Sequence, residues 1–193
     1  MFDRRCWIFD MDGTLTVAVH DFDAIRRELG IAPGRPILEA LSEMDAVAAA
    51  PLHRRLADIE LELARDSTAA PGALEFVHAL KARGDRLGIL TRNTLENARV
   101  TLEACGMDEY FEPGDILGRL AAAPKPSPEG IRLLLDRWDA RPEDAVMVGD
   151  FRFDLEAGRA AGTATLYVTG DRSPDWKHLA DETLQWLDAA RLA

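Results

Sequence analysis

The chain is poor in the features that mark several specialised classes of protein. Its 193 residues include only two cysteines, Cys6 and Cys105, which lie far apart in the sequence. Such spacing excludes a zinc-finger site, a redox pair and a disulfide scaffold, and the apolar neighbours of both residues predict buried thiols. The sequence also lacks an apolar run near the ~18 residues of a transmembrane helix and an amino-terminal signal pattern. We therefore expect a cytoplasmic protein without a membrane partner.

Positive charge is also scarce. Lysine and arginine total 23 against 34 acidic residues, which gives a formal net charge of -11. Nucleic acids and anionic membranes bind basic surfaces, so we expect neither as a partner. A chain this acidic needs a local positive charge to handle an anionic substrate, and a metal ion is the simplest source. Lysine occurs only at positions 81, 125 and 177, although arginine is frequent.

Short apolar segments alternate with helical patterns, and no internal repeat is visible. Apolar runs without polar alternation are typical of strands buried on both faces. They predict strands over 5–10, 86–91, 115–118, 145–150 and 163–169. Strands that alternate with helices of this length predict an α/β fold with a doubly wound, mostly parallel sheet.

The helices are located by their period and by proline and glycine at their ends. Between the strands, helical patterns cover 72–83, 94–105, 128–138 and 154–161, and the tail over 181–192 is predicted to be a final helix. The segment 17–70 is all helical, interrupted at Pro33, Pro36 and Pro51, and predicts about three helices. It lies between the first and second strands. We therefore expect a core domain made of 1–16 and 71–193, with 17–70 as a helical cap.

Polar residues follow three of the predicted strands at the point where each strand ends. Asp10 and Asp12 belong to DMDGT after the first strand, Thr91 follows the second, and Asp150 follows a later one. Because ligands of doubly wound sheets bind beyond the carboxyl ends of the strands, these side chains are expected at one edge. Taken alone, DMDGT also fits a simple turn in which Asp10 caps the next helix.

Two further residues extend this set. Lys125 stands between two prolines in APKPSPEG, which stiffen the backbone around it, although an exposed loop lysine is the plain alternative. Asp154 follows Asp150 by one helical turn and would also suit the positive end of a helix. Four carboxylates at one edge favour a hard cation, and oxygen ligands favour Mg²⁺. The Thr91 hydroxyl and the amides after it suit an anionic oxygen, although Thr91 or Asn93 would equally cap the next helix.

Four segments in this order, FDMDGTL, ILT, KPSPEG and VGDFRFDLEAG, resemble the motifs of the haloacid dehalogenase-like hydrolase superfamily. The resemblance covers nearly the whole chain apart from details of 17–70. It is strongest to the phosphatase branch related to phosphoglycolate phosphatase, whose helical cap follows the first motif. It implies a Rossmann-like core, hydrolysis of a small phosphate ester and a Mg²⁺ cofactor.

The resemblance also implies roles for individual residues. Asp10 would be the nucleophile that forms an aspartyl-phosphate. Asp12 would act as general acid and then general base, and Gly13 would allow the tight turn after it. Thr91 and Lys125 would hold and neutralise the phosphoryl group.

Further candidates surround this group. Arg92 and Asn93 are predicted to contact the phosphate through their amides, and His20 is a candidate contact at the start of the cap. Mg²⁺ would be held by Asp10, the backbone carbonyl of Asp12 and Asp150. Asp154 would serve either as a ligand or as a partner of the ligands.

Other functions were weighed against this one. A phosphomutase resembling β-phosphoglucomutase would use His20 as a gating base. A phosphoreceiver module also gathers acids, a threonine and a lysine, but without an inserted cap and in a different order along the chain. A non-catalytic phosphate-binding protein would be expected to have lost one of these polar residues, and none is missing.

The substrate is not chosen by the sequence. Phe151 and Arg92 stand where relatives of the family commonly carry small or polar residues, and the cap is short for its class. His53, Arg54 and Arg55 are candidate cap contacts, although arginines on helices usually face solvent. The sequence leaves the oligomeric state open between monomer and homodimer.

Overall fold

A single parallel sheet forms the centre of the molecule. The computed structural model describes residues 1–17, 21–173 and 175–192. The strands are β1 (Cys6–Phe9), β2 (Arg86–Leu90), β3 (Ile116–Leu117), β4 (Ala145–Gly149), β5 (Ala164–Val168) and β6 (Glu182–Leu184). They lie in the order β3-β2-β1-β4-β5-β6, and every pairing between them is parallel. The predicted α/β fold class is confirmed.

Helices cover both faces of this sheet. The described α-helices are α1 (Phe22–Glu28), α2 (Ile37–Ser42), α3 (Ala46–Arg65), α4 (Ala73–Ala82), α5 (Leu95–Ala104), α6 (Glu129–Trp138) and α7 (Arg152–Ala161). On one face, Trp7 and Phe9 of β1 pack with Phe76 of α4 and Leu102 of α5. On the other face, the intervening Ile8 packs with residues of α6 and α7. Alternate residues of β1 therefore enter two different cores, which is why the strand is apolar without alternation.

Within 17–70, the described residues form three helices, α1 to α3, which share a hydrophobic cluster of their own. The buried members of this cluster are Ile25, Leu29, Ile31, Ala40, Leu41, Leu56 and Ile59. The prediction of three helices is confirmed, but the interruption at Pro51 is wrong because α3 runs through that residue. Pro51 lies on an exposed face of the second helical turn, where its missing N–H removes one backbone hydrogen bond without burying a polar group.

The predicted final helix over 181–192 is also wrong. Residues 182–184 add an edge strand beside β5, and only a short 3₁₀ turn follows at 189–192. Asp181 accepts hydrogen bonds from the backbone N–H and the hydroxyl of Thr165, and Leu187 is buried in the core beside α4. These long-range contacts outweigh the local helical preference of the sequence.

Within the described part of the chain, no helix combines the length and apolarity that crossing a membrane requires.

Candidate active site

The ends of three neighbouring strands bring the predicted polar residues together. Asp10 follows β1 and its N–H donates to the carbonyl of Val148 in β4 at 2.8 Å. Thr91 follows β2 and donates its N–H to the carbonyl of Leu117 at 3.0 Å. Asp150 directly follows β4. Because β2, β1 and β4 are adjacent, Thr91, Asp10 and Asp150 share one edge of the sheet, as the sequence predicted.

The chain after Asp10 turns sharply around the carbonyl of Met11. That oxygen accepts the N–H groups of residues 14–16 at 2.9–3.2 Å. Gly13 adopts a φ of 84°, which favours glycine. A Cβ atom at this position would lie 2.3 Å from Oδ2 of Asp150. Glycine therefore serves both the turn and the close approach of Asp150.

Lys125 is buried between two of the carboxylates. Its Nζ lies 2.5 Å from Oδ1 of Asp10, 2.6 Å from Oδ1 of Asp154 and 2.8 Å from the carbonyl oxygen of Leu90. Burial opposes the charge of the ammonium, but the negative charges of Asp10 and Asp154 outweigh it and raise the pKa of Lys125 above its usual value. The lysine is therefore a fixed cation, which rules out an exposed loop residue.

The carboxylates of Asp10, Asp150 and Asp154 form a buried cluster. Each offers an oxygen within 4.8 Å of the others. Burial, followed by the charges of the other two acids, raises the pKa of Asp150 to about 7. Burial also raises the pKa of Asp154 to about 6, against the opposing effect of Lys125. An all-oxygen, net negative set of this kind fits a hard divalent cation.

Asp154 makes two further contacts that its predicted position did not specify. Its Oδ1 pairs with Lys125, while its Oδ2 accepts the N–H of Phe151 at 3.0 Å, at the start of α7. The residue therefore combines the helix-terminal position with a place in the cluster.

Arg172 is a site residue that sequence reasoning missed. Its guanidinium contacts Oδ2 of Asp150. It belongs to the loop after β5, which contains none of the four motifs. The available signal was positional, since the end of β5 lies at the same sheet edge as Asp150.

The contacts of Asn93 differ from the phosphate contact that was predicted for it. Its side-chain Nδ2 donates to Oδ2 of Asp12 at 2.7 Å, and its backbone N–H donates to the Thr91 hydroxyl at 3.1 Å. The capping alternative for Thr91 and Asn93 is wrong because Thr94 caps α5 by accepting the N–H of Asn97. The Asn93 side chain is thus committed to Asp12.

A cavity of about 280 Å³ lies between this edge and the helices of 22–65. Thr91, Arg92 and Lys125 line it from the sheet side, and His53 of α3 lines it from the helical side. Arg55 instead pairs with Glu28 at 2.5 Å between exposed parts of the helices. His20 lies outside the described residues.

Comparisons with known proteins show which family the chain belongs to. The family model of the haloacid dehalogenase-like hydrolases matches residues 40–162. Phosphoglycolate phosphatase of Rhodospirillum rubrum is 30% identical over 190 residues, which cover 84% of this chain and 78% of that protein. Pyrophosphatase PpaX of Listeria monocytogenes is 29% identical over 177 residues, which cover 83% of this chain and 81% of the relative.

A solved structure shares the same fold. The structure of CbbY from Rhodobacter sphaeroides in complex with phosphate has a TM-score of 0.74 and 22% identity, and covers 95% of this chain and 94% of that one. The chain belongs to the haloacid dehalogenase-like hydrolase family, in its phosphoglycolate phosphatase-like branch.

Proposed function

We propose that this protein is a Mg²⁺-dependent phosphatase that hydrolyses a phosphate monoester through an aspartyl-phosphate on Asp10. The observation that carries the proposal is the contact of Lys125 Nζ with Asp10 at 2.5 Å, inside a buried cluster of carboxylates. A structural ion pair needs one acid and one base. Here three buried acids face two cations, Lys125 and Arg172, which leaves an excess of negative charge that a bound metal cation would offset.

In the first half of the reaction, a carboxylate oxygen of Asp10 attacks phosphorus and the bond from phosphorus to the leaving oxygen breaks. Asp12 gives its proton to that oxygen, so the leaving group departs as a neutral alcohol. The hydrogen bond from Asn93 holds the Asp12 carboxyl in place for this transfer. Thr91 and Lys125 hold the phosphoryl oxygens while charge develops on them.

In the second half, Asp12 takes a proton from water, and the water oxygen attacks the phosphorus of the aspartyl-phosphate. The bond between phosphorus and Asp10 breaks, which releases inorganic phosphate and restores the Asp10 carboxylate. Asp12 then carries the proton needed for the next cycle. One residue therefore serves both steps, because the leaving alcohol and the attacking water occupy the same side of phosphorus.

The metal would be held by the side chains of Asp10 and Asp150 and by the backbone carbonyl of Asp12. When bound, Mg²⁺ supplies charge neutralisation for the phosphoryl group and for the nucleophile. Both oxygens of Asp154 already have partners in Lys125 and Phe151, which favours a role in holding Lys125 and the ligands in place.

We further propose that 17–70 acts as a cap over a core formed by 1–16 and 71–193. The separate hydrophobic cluster of its helices supports this division. The cavity between its helices and the sheet edge supports its place over the site.

The proposal is tested by measuring phosphate release from a panel of small phosphate esters, with Mg²⁺ and with EDTA. We expect Mg²⁺-dependent release in the wild type and none in the Asp10→Asn variant, which should keep the wild-type circular dichroism spectrum. A variant that retains even a tenth of the wild-type rate would overturn the role of Asp10.

A further inference from the structure

The cavity beside the phosphoryl site carries information about the leaving group. Its walls are mostly apolar and include Leu38, Leu90, Leu120, Ala122, Ala123 and Pro124. It opens directly onto Thr91 and Lys125, so an ester held there would place its alcohol in this space.

The two arginines of this cavity are already neutralised by acids from the helices of 22–65. Arg92 pairs with Glu39 of α2 at 2.6 Å, and Glu39 itself lines the cavity. Arg119 pairs with Glu60 of α3, whose side chain is 12% exposed and also accepts from Asn97. Each of these arginines therefore already forms an ion pair in the absence of substrate.

The third cation of the lining is neutralised as well. Lys125 lies between Asp10 and Asp154, so each arginine and lysine of the lining already has an acidic partner. An anionic leaving group would have to compete with Glu39 or Glu60 for an arginine, and would meet the negative charge of Glu39 in the same cavity.

We propose that this cavity is a leaving-group subsite selective for an uncharged alcohol over an anionic one. The inference rests on the proposed phosphatase function and names the substrate class of that site. It separates this chain from relatives named for phosphoglycolate and pyrophosphate, whose leaving groups, glycolate and phosphate, are themselves anions. In this chain, Glu39 and Glu60 pair with the arginines that an anionic leaving group would need.

The test compares glycerol 3-phosphate with 3-phosphoglycerate, which differ only in a hydroxymethyl group against a carboxylate. We expect kcat/KM to favour glycerol 3-phosphate by about tenfold, because the carboxylate of 3-phosphoglycerate would be repelled by Glu39. The Glu39→Gln variant frees Arg92 and should shift this ratio by about tenfold toward 3-phosphoglycerate. A wild-type preference for 3-phosphoglycerate, or an unchanged ratio in Glu39→Gln, would overturn the subsite.

Arg141→Gln, which alters an exposed arginine paired with Glu143, is the control for the Glu39→Gln variant, and its ratio of kcat/KM values should match the wild type.

Binding separates failure of the subsite from failure of the proposed function. Calorimetry with the Asp10→Asn variant measures the affinity of both esters without turnover. Tighter binding of glycerol 3-phosphate supports the subsite even if no ester is hydrolysed, in which case the phosphatase proposal alone fails. Equal affinities, or tighter binding of 3-phosphoglycerate, refute the subsite.

Discussion

Replacing Lys125 by methionine should destabilise the protein strongly, and more so at alkaline pH. Methionine keeps much of the apolar stem but removes the ammonium that contacts Asp10, Asp154 and the carbonyl of Leu90. Breaking a buried ion pair by removing one partner costs about 3–5 kcal/mol. Because two carboxylates lose their partner here, we expect a loss of about 5 kcal/mol at pH 8.

The pH dependence follows from the acids, since the raised pKa of Lys125 keeps it charged at every pH of interest. A folded-state pKa above that of the unfolded chain means that the folded state binds more protons. Stability then falls as the pH rises from about 4 through the folded pKa. The folded values for Asp150 and Asp154 are already about 7 and about 6, and loss of the ammonium moves the pKa of Asp154 higher. At pH 5.5 Asp154 is largely protonated in the variant, so the cost comes mainly from the lost pair with Asp10 and should shrink to about 3 kcal/mol, the lower end of the range for one broken buried pair.

The assay is urea denaturation followed by circular dichroism at pH 5.5 and pH 8, in EDTA. Lys81→Met is the matched control, since Lys81 is 40% exposed and lies 3.6 Å from Glu112. We expect that control to change by less than about 1 kcal/mol at either pH. An equal loss for Lys125→Met at both pH values, or a loss below about 1 kcal/mol at pH 8, would refute this account of the cluster.

Three further predictions concern the same edge of the sheet. Asp12→Asn should lower the rate of phosphate release by about 100-fold or more, as expected when a general acid and base is lost. A wild-type rate of phosphate release in this variant would contradict that role. Mg²⁺ should raise the melting temperature more at pH 8 than at pH 5.5, because protons on Asp150 compete with the cation at the lower pH; calorimetric scans with equal shifts would contradict this. Gly149→Ala would place a Cβ atom 2.2 Å from Cβ of Asp154, so it should lower the free energy of unfolding by about 1–3 kcal/mol. It should also weaken Mg²⁺ binding in titration calorimetry, and wild-type stability and affinity would contradict the packing argument.

The fold was predictable from the sequence wherever local pattern and long-range packing agree. Strands buried on both faces, such as β1 and β4, have no polar positions to confuse their assignment. The prediction of a final helix after Asp181 was wrong because the backbone there pairs with β5, a contact that no local pattern encodes. The prediction that Pro51 interrupts the helix was also wrong, because a proline on an exposed early turn is tolerated within a helix.

The candidate site divides in the same way. Residues that directly follow strands, such as Asp10, Thr91 and Asp150, were placed by topology alone. The partners that tune them come from distant segments, and their pairing depends on side-chain directions that the sequence does not encode. Arg172 reaches Asp150 from the loop after β5, and Glu39 reaches Arg92 from a helix of the inserted segment.

The central claim is that Asp10 is the nucleophile, and a single-turnover reaction in H₂¹⁸O tests it most directly. With enzyme in excess over a phosphate ester and Mg²⁺ present, water attacks the phosphorus of the aspartyl-phosphate, so the label should enter the released phosphate. The Asp10 carboxylate should remain unlabelled in peptide mass spectrometry. In a parallel rapid quench, borohydride reduction of the trapped intermediate should convert residue 10 to homoserine. Labelled phosphate without homoserine at position 10 would mean that water attacks the substrate directly, and would contradict the account.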